Sequence, residues 1–318
     1  MPPCKEKVPP GFLEEDDAFC QARENSPLRS TSTILKKGDD KLAQKILPSP
    51  HDPVLKWLYI ILCYLCISMV VWIMISPASW LLERSTWHQE VLLPFLRANG
   101  SFRAIPEAVV TKYQGHTLVQ FTHIVPAAIW ATIVPFQLHP TWRNRHRKLH
   151  RILGYIFIMM VLLIAIGIGI IVQRKLTNTY DFPNDNLPPQ NKLLDVGYPP
   201  GLAVLALWFW GTAWYAVYLA RRTTHRYKHH YHHHQRWIIR HVAAGIFVAV
   251  QRFFYIPLAM MVLRFTHPPP DPIPAWLQRD IFGGAGNAAA LTTILLGEYA
   301  IHRLSLMTGK QTESKKIS

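Results

Sequence analysis

This sequence predicts an all-α fold, a polytopic membrane bundle of six transmembrane helices. Three observations carry that expectation. Six apolar runs, at 57–76, 117–138, 152–172, 201–220, 241–263 and 283–300, each come close to the ~20 residues a helix needs to cross the hydrocarbon core. Lys and Arg collect in alternate connections between the runs. Within the runs, strongly polar residues recur at helical spacing. The averages would not decide the matter. Of the 318 residues 50% are hydrophobic, the formal net charge is +15, and the mean hydropathy is only +0.09.

The elements follow in order. Residues 1–53 are polar, charged and Pro-containing, with the acidic group Glu14, Glu15, Asp16 and Asp17 far from any apolar run. That composition reads as a disordered tail rather than a cleavable leader, and the first run then serves as an uncleaved anchor. Cys63 and Cys66 lie three apart inside that run, and small, soft packing is the favoured reading over metal or redox chemistry. Residues 54–303 form the membrane domain, and 304–318 read as a second short tail. The third run contains no charge. The sixth is the weakest, being rich in Ala and carrying Asn287 and Glu298.

Charge sets the expected orientation. Arg143, Arg145, Arg147, Lys148 and Arg151 follow the second run, and Arg221, Arg222, Arg226, Lys228, Arg236 and Arg240 follow the fourth. Both tails are basic as well. This alternation predicts that both termini are cytosolic. It also accounts for the basic balance as topogenic and headgroup-contacting charge, so the partner is a lipid bilayer and no nucleic acid is implied. Asn99-Gly100-Ser101 is an N-glycosylation sequon in the first connection predicted to be lumenal.

Polar spacing then sorts the helix faces. In the second run His116, Gln120, His123, Ala127, Trp130, Val134 and Gln137 share one face. Pro126 and Pro135 should kink that helix and free carbonyls nearby. In the fifth run His241, Gly245, Val248, Arg252 and Tyr255 share a face, and in the sixth Asn287, Leu291, Ile294, Glu298 and His302. The three stripes are expected to face one another.

Arg252 is the sharpest of these residues, because a guanidinium at the centre of a membrane helix costs at least ~3 kcal/mol on insertion scales. At about 1.5 Å per residue it lies near the midplane, with Gln120 and His123 roughly 7–12 Å to one side and Glu298 roughly 10 Å to the other. Two readings stay open. Arg252 pairs with Glu298, or it binds an anionic group of a lipophilic ligand.

Histidines form a second set. His150, His241 and His302 lie at the predicted cytosolic ends of their helices, and paired imidazoles there could hold a haem b iron. Interfacial anchoring is the plainer account. The stretch 222–237 holds His225, His229, His230, His232, His233 and His234 and reads as a headgroup-facing, low-complexity loop. No Walker loop, dinucleotide motif, nucleophile elbow or His-Glu-x-x-His occurs, and no run contains paired carboxylates.

Two longer patterns stand out. One is His234-Gln-Arg-Trp-Ile-Ile-Arg240 followed by Arg252 and Pro257. The other is His123, Gln137, Arg143, Leu149-His150-Arg151 and Gly154-Tyr155. Together, over residues 117–260, they resemble a family of membrane proteins known as domain-of-unknown-function family 2306. The resemblance implies a polar core built from His123, His150, His234, Arg240 and Arg252, and implies no reaction.

Three functions are compatible with these features. In the first, the chain binds or acts on a lipophilic anionic metabolite, with His123 as general acid/base and Arg252, Gln120, Gln137, Glu298 and Arg240 binding it. In the second it is a membrane redox protein using quinone or haem b, with His150, His241 and His234 around the cofactor. In the third the polar stripes serve only assembly, as scaffold.

Overall fold

The computed structural model describes residues 52–76, 87–103, 107–177, 199–222, 229–266 and 273–317. All but the last two residues of the expected tail over 1–53, and most of the second expected lumenal segment, fall outside them. Residues His51–Leu306 form one compact unit. In the second unit, Met1–Pro50 with Met307–Ser318, the described part is helical.

The described chain is helical throughout. Its main helices are α1 Pro53–Ile75, α2 Leu93–Ala98, α3 Glu107–Thr111, α4 Thr117–Leu138, α5 Pro140–Arg145, α6 Arg147–Gln173, α7 Pro199–Arg222, α8 His229–Thr266 and α9 Ala275–Ile317. Five of them, α1, α4, α6, α7 and α8, contain stretches long and apolar enough to cross a membrane. These match the first five apolar runs. The sixth run lies within α9, which is too rich in Ala, Gly and polar residues to join them. Helices α6, α8 and α9 also extend well past their apolar runs. A helix keeps its hydrogen bonds internal, so it can continue through the interfacial layer into water.

Sequence explains the ends. Asp52 caps α1, its Oδ1 accepting from the N–H groups of Val54 (2.9 Å) and Leu55 (3.2 Å), and Pro53 occupies the first helical position, where a missing N–H is harmless. The same carboxylate binds Arg303 of α9 at 2.9 Å. Helix α4 is interrupted, as its prolines predict. Residues Gln120–Ile124 form a π-turn immediately before Pro126. Proline cannot donate to the carbonyl four residues back, and a widened turn accommodates that break. Tyr59 of α1 donates its hydroxyl to the Pro135 carbonyl, 3.1 Å away, at the second proline.

The largest core cluster surrounds Trp130 of α4. Ile124, Ala127, Phe157, Val161, Phe209, Ala213, Val242 and Ile246 pack there. A smaller cluster joins Tyr255 and Ala259 of α8 to Phe282 and Ala285 of α9. Ile60, Ile67 and Met74 of α1 and Leu207 of α7 stay exposed, as lipid-facing side chains should.

Glycines at two crossings set how closely the helices approach. A Cβ on Gly167 of α6 would lie 2.6 Å from the His123 Cβ and 2.9 Å from its backbone nitrogen. A Cβ on Gly245 of α8 would lie 2.5 Å from the Trp130 Cη2 and 2.8 Å from the Phe209 ring. Small residues at crossings are what let transmembrane backbones pack without side chains between them.

Between α1 and α2 a π-turn spans Trp87–Leu92 and buries His88 completely. Burial disfavours the imidazolium and lowers the His88 pKa from 6.5 to about 4. The unfolded segment therefore binds a proton that the folded one resists. The stability that neutral His88 provides is full above pH 6.5 and is lost as pH falls toward 4. Hydrogen exchange of residues 87–98 should accelerate over that interval. A His88→Phe variant should show no such acceleration, and identical pH profiles for the two proteins would refute the assignment.

Candidate functional site

The predicted stripe of α4 does face the bundle. Gln120, Ala127, Trp130 and Val134 are buried, and His116, His123 and Gln137 are half-buried. On α8 His241 and Tyr255 are buried, with Gly245, Val248 and Arg252 half-buried.

The stripe of α9 does not. Asn287, Leu291, Ile294, Glu298 and His302 are all exposed. The inner face belongs instead to Ala285, Ala289, Thr293 and Gly297, four residues apart along the helix and all buried. A Cβ on Gly297 would come within 3.0 Å of the Ala243 Cβ on α8. Polar periodicity alone pointed to the opposite face. Close packing through small residues overrides it.

That rotation changes the partner of Glu298. Its carboxylate accepts two hydrogen bonds from Arg240, Nε to Oε1 at 2.6 Å and Nη2 to Oε2 at 2.9 Å. The Arg240 guanidinium also lies 4.8 Å from the Trp237 ring centroid. The Arg252–Glu298 pair therefore does not form. Arg252 sits half-buried over Phe282 of α9, 5.1 Å from the ring centroid. Its Nη1 is 3.5 Å from the amide oxygen of Gln251, whose own Nε2 donates to the Phe282 carbonyl at 3.1 Å.

His241 is the most completely engaged polar group of the bundle. Its Nε2 accepts from the Trp130 indole N–H at 3.0 Å and its Nδ1 lies 2.8 Å from the Phe209 carbonyl. An indole only donates and a carbonyl only accepts, so the ring is the neutral Nδ1–H tautomer. Phe157, Phe209 and Trp130 pack around it with ring centroids at 5.2, 4.3 and 5.8 Å. Neither nitrogen is left for an iron, which removes His241 from the expected haem ligands and makes it a structural residue.

Of the six buried side-chain atoms without a hydrogen-bond partner among the described residues, two lie close together on α4. The Gln120 Nε2 donates to the Tyr113 carbonyl at 2.9 Å, but its Oε1 has no partner, and neither has the Nδ1 of His123. Both side chains belong to the π-turn. His123 packs against α6 beside the Ile164 carbonyl, and the Lys112 ammonium is near enough to act on it. His116 accepts from Arg174 at 3.2 Å.

At the other end of the bundle Gln137 donates to the His150 carbonyl at 3.1 Å, and His234 donates from Nδ1 to the Ala216 carbonyl at 2.8 Å. Asn99 is exposed, and its side-chain nitrogen donates to the Phe95 carbonyl at 2.9 Å. Among the described residues no three His, Cys, Asp or Glu side chains come together as a metal site, and most of the His-rich stretch 222–237 lies outside those whose side chains are described.

Comparison with family models, with curated proteins and with solved structures finds no match. The site is therefore read from its own chemistry.

Sequence reasoning found His123, Gln120, Trp130 and His241 as members of inward stripes. It missed the bond between the last two. The signal was there: an indole donor and an imidazole acceptor, each on the inward face of its own helix. It also missed His88, whose sequence neighbourhood carries no periodic pattern.

Proposed function

We propose that this multi-pass membrane protein binds a lipophilic small molecule through a polar or anionic head held at the π-turn of α4. One observation carries the reading. Two buried polar atoms, the Gln120 Oε1 and the His123 Nδ1, lack partners and lie within a single π-turn. Leaving such atoms unsatisfied costs about 1–3 kcal/mol each, and π-turns concentrate at functional positions. A ligand that accepts from one and donates to the other would recover that cost. Lys112 is near enough to act on His123 electrostatically, which favours an acidic head. Arg252 remains in the proposal as a second cationic anchor on α8, whereas Glu298 and Arg240 leave it, because they satisfy one another. If the bound molecule is also transformed, His123 is the group for proton transfer. The proposal includes α9 as a sixth span, cytosolic termini, and Asn99 on the lumenal side.

Purification in mild detergent followed by mass spectrometry tests this. Wild-type protein should carry a lipophilic species that falls at least about tenfold in a Gln120→Leu, His123→Leu double variant, the effect of losing two buried hydrogen bonds. The same preparation should lose mass on glycosidase treatment if Asn99 is lumenal. Identical small-molecule profiles in a folded variant would sink the binding reading and leave the α4 stripe to helix packing.

A further inference from the structure

The end of the bundle where α4 begins and α6 stops holds a cation close to the π-turn. Arg174 follows the last residue of α6, and its Nη1 lies 3.2 Å from the Nδ1 of His116. A guanidinium only donates, so the imidazole accepts and is neutral. His116 precedes the first turn of α4, yet its ring caps none of that helix's N–H groups. It is turned across to α6 instead. Among the described residues the imidazole is the one group that the Arg174 side chain bonds. An anion holds a guanidinium more strongly than a neutral ring does, often through two parallel bonds. The contact is therefore one that an anionic ligand can exchange.

The backbone at this point is strained. Lys175, next after Arg174, has φ 57° and is the one non-glycine residue of the described chain in the left-handed region. Its N–H bonds the Val172 carbonyl at 3.2 Å, and the Leu176 N–H bonds the Ile171 carbonyl at 2.9 Å. Glycine makes such a helix-ending turn without strain, and strained non-glycine backbone concentrates at functional positions.

The register of α4 against α6 places Arg174 over the buried Gln120. His116 meets Arg174, and seven residues further along α4 His123 meets Gly167, seven residues back along α6. Gln120 lies between the two contacts on the same face of α4, one turn or roughly 6 Å in from His116. Its amide orientation is fixed, because Nε2 donates to the Tyr113 carbonyl at 2.9 Å and a carbonyl only accepts. The atom left over is Oε1, which has no partner on a side chain only 1% exposed. A carboxylate or phosphate ester oxygen cannot satisfy it, since Oε1 requires a donor.

We propose that the molecule held at the π-turn is an amphiphile with two features, an oxyanion and a neutral O–H or N–H donor next to it. This rests on the ligand-binding reading given above and names the ligand class. The oxyanion takes Arg174 from His116, and the neutral donor bonds the Gln120 Oε1. Two hydrogen bonds of about 2.8 Å take up most of the separation between those residues, so oxyanion and donor are close neighbours in the ligand. N-acyl amino acids and lysophosphatidates share this pattern. A plain fatty acid lacks the donor, and a monoacylglycerol lacks the charge.

Thermal stability of the full-length protein in neutral detergent tests the proposal. Micelles are doped at constant ionic strength with an N-acylglycine, a lysophosphatidic acid, a fatty acid or a monoacylglycerol of the same chain length. At least one of the first two should give a saturable rise in Tm, and the stronger of them tells carboxylate from phosphate. The fatty acid and the monoacylglycerol should each bind about tenfold more weakly, the effect of one lost hydrogen bond to a buried or charged group. Arg174 is exposed, so Arg174→Gln removes no packing. It should weaken the better ligand about tenfold and leave the monoacylglycerol unchanged. Arg264→Gln, which removes an equal charge where α8 ends on the same side of the bundle, should change neither. The proposal is overturned if no amphiphile gives a saturable response, if the fatty acid matches the N-acylglycine and the lysophosphatidic acid, if Arg174→Gln is silent, or if Arg264→Gln weakens binding as much. A silent Arg174→Gln beside a Gln120→Leu, His123→Leu variant that still loses its co-purified species would remove this ligand class and keep the π-turn as a binding site.

Discussion

Replacing Gly245 with alanine should destabilise the bundle by about 3 kcal/mol or more, a large effect for one methyl group. Overpacking alone costs about 1–3 kcal/mol in a close-packed interior. Here the new methyl would meet the Trp130 ring at 2.5 Å, and Phe209 lies 2.8 Å away on another side. The indole has little room to retreat, since Phe157 stacks on it at 6.0 Å and Phe209 and His241 meet it edge-on at 5.8 Å. Any displacement also strips the indole N–H from the His241 Nε2, leaving a buried donor and acceptor unpaired at about 1–3 kcal/mol. The check is a double-mutant cycle scored by thermal unfolding in detergent. Trp130→Phe removes both indole atoms that the methyl would strike, so Gly245→Ala should cost much less in that background than in wild type. Additive effects would mean that the indole is not what Gly245 makes room for.

Arg240→Met should be nearly as damaging, at about 2–3 kcal/mol, and Arg240→Met with Glu298→Leu should recover most of it. The single change leaves a carboxylate unpaired on the outward face of α9, where it is 46% exposed and where, in the sixth span proposed above, a bilayer offers it no water. Breaking a sequestered pair costs more than the pair is worth, whereas replacing both members with apolar groups is close to neutral. The partial exposure of both side chains keeps the figure below that of a deeply buried pair. A silent Arg240→Met would mean that Glu298 finds another cation, and Arg252 would again be the first to examine.

The second result also shows why part of the site could be read in advance. Apolar length needs no tertiary context, so five spans and the inward faces of α4 and α8 are visible in the sequence. The face of α9 was not, because two signals compete there. Asn287, Glu298 and His302 mark one side, and Ala285, Ala289, Thr293 and Gly297 mark another. Polar residues in a membrane helix usually turn inward, but small ones permit the closer approach, and here close approach wins. Glu298 was then weighed only as a partner for Arg252, an arginine at another level. Arg240 precedes Arg252 by three helical turns, roughly 18 Å. It lay at the margin of its apolar run, outside the set of residues that seemed to need a partner. The π-turn was foreshadowed by Pro126, but the two unsatisfied atoms inside it depend on neighbouring helices and have no sequence signature.

One imidazole joins three helices that enter the membrane at different times. Trp130 of α4 offers its N–H and Phe209 of α7 its carbonyl long before α8 brings the ring that receives one and caps the other. Until residue 241 has been synthesised and inserted, the half-built protein holds an indole donor with no acceptor in hydrocarbon. The Phe209 carbonyl is better protected, because it shares the Thr212 hydroxyl proton, at 2.9 Å, with the Trp208 carbonyl at 2.8 Å. Nascent chains ending before α8 are thus incomplete in their hydrogen bonding as well as in their packing. With α8 in place, the His241 ring closes a hydrogen-bond network that spans three helices.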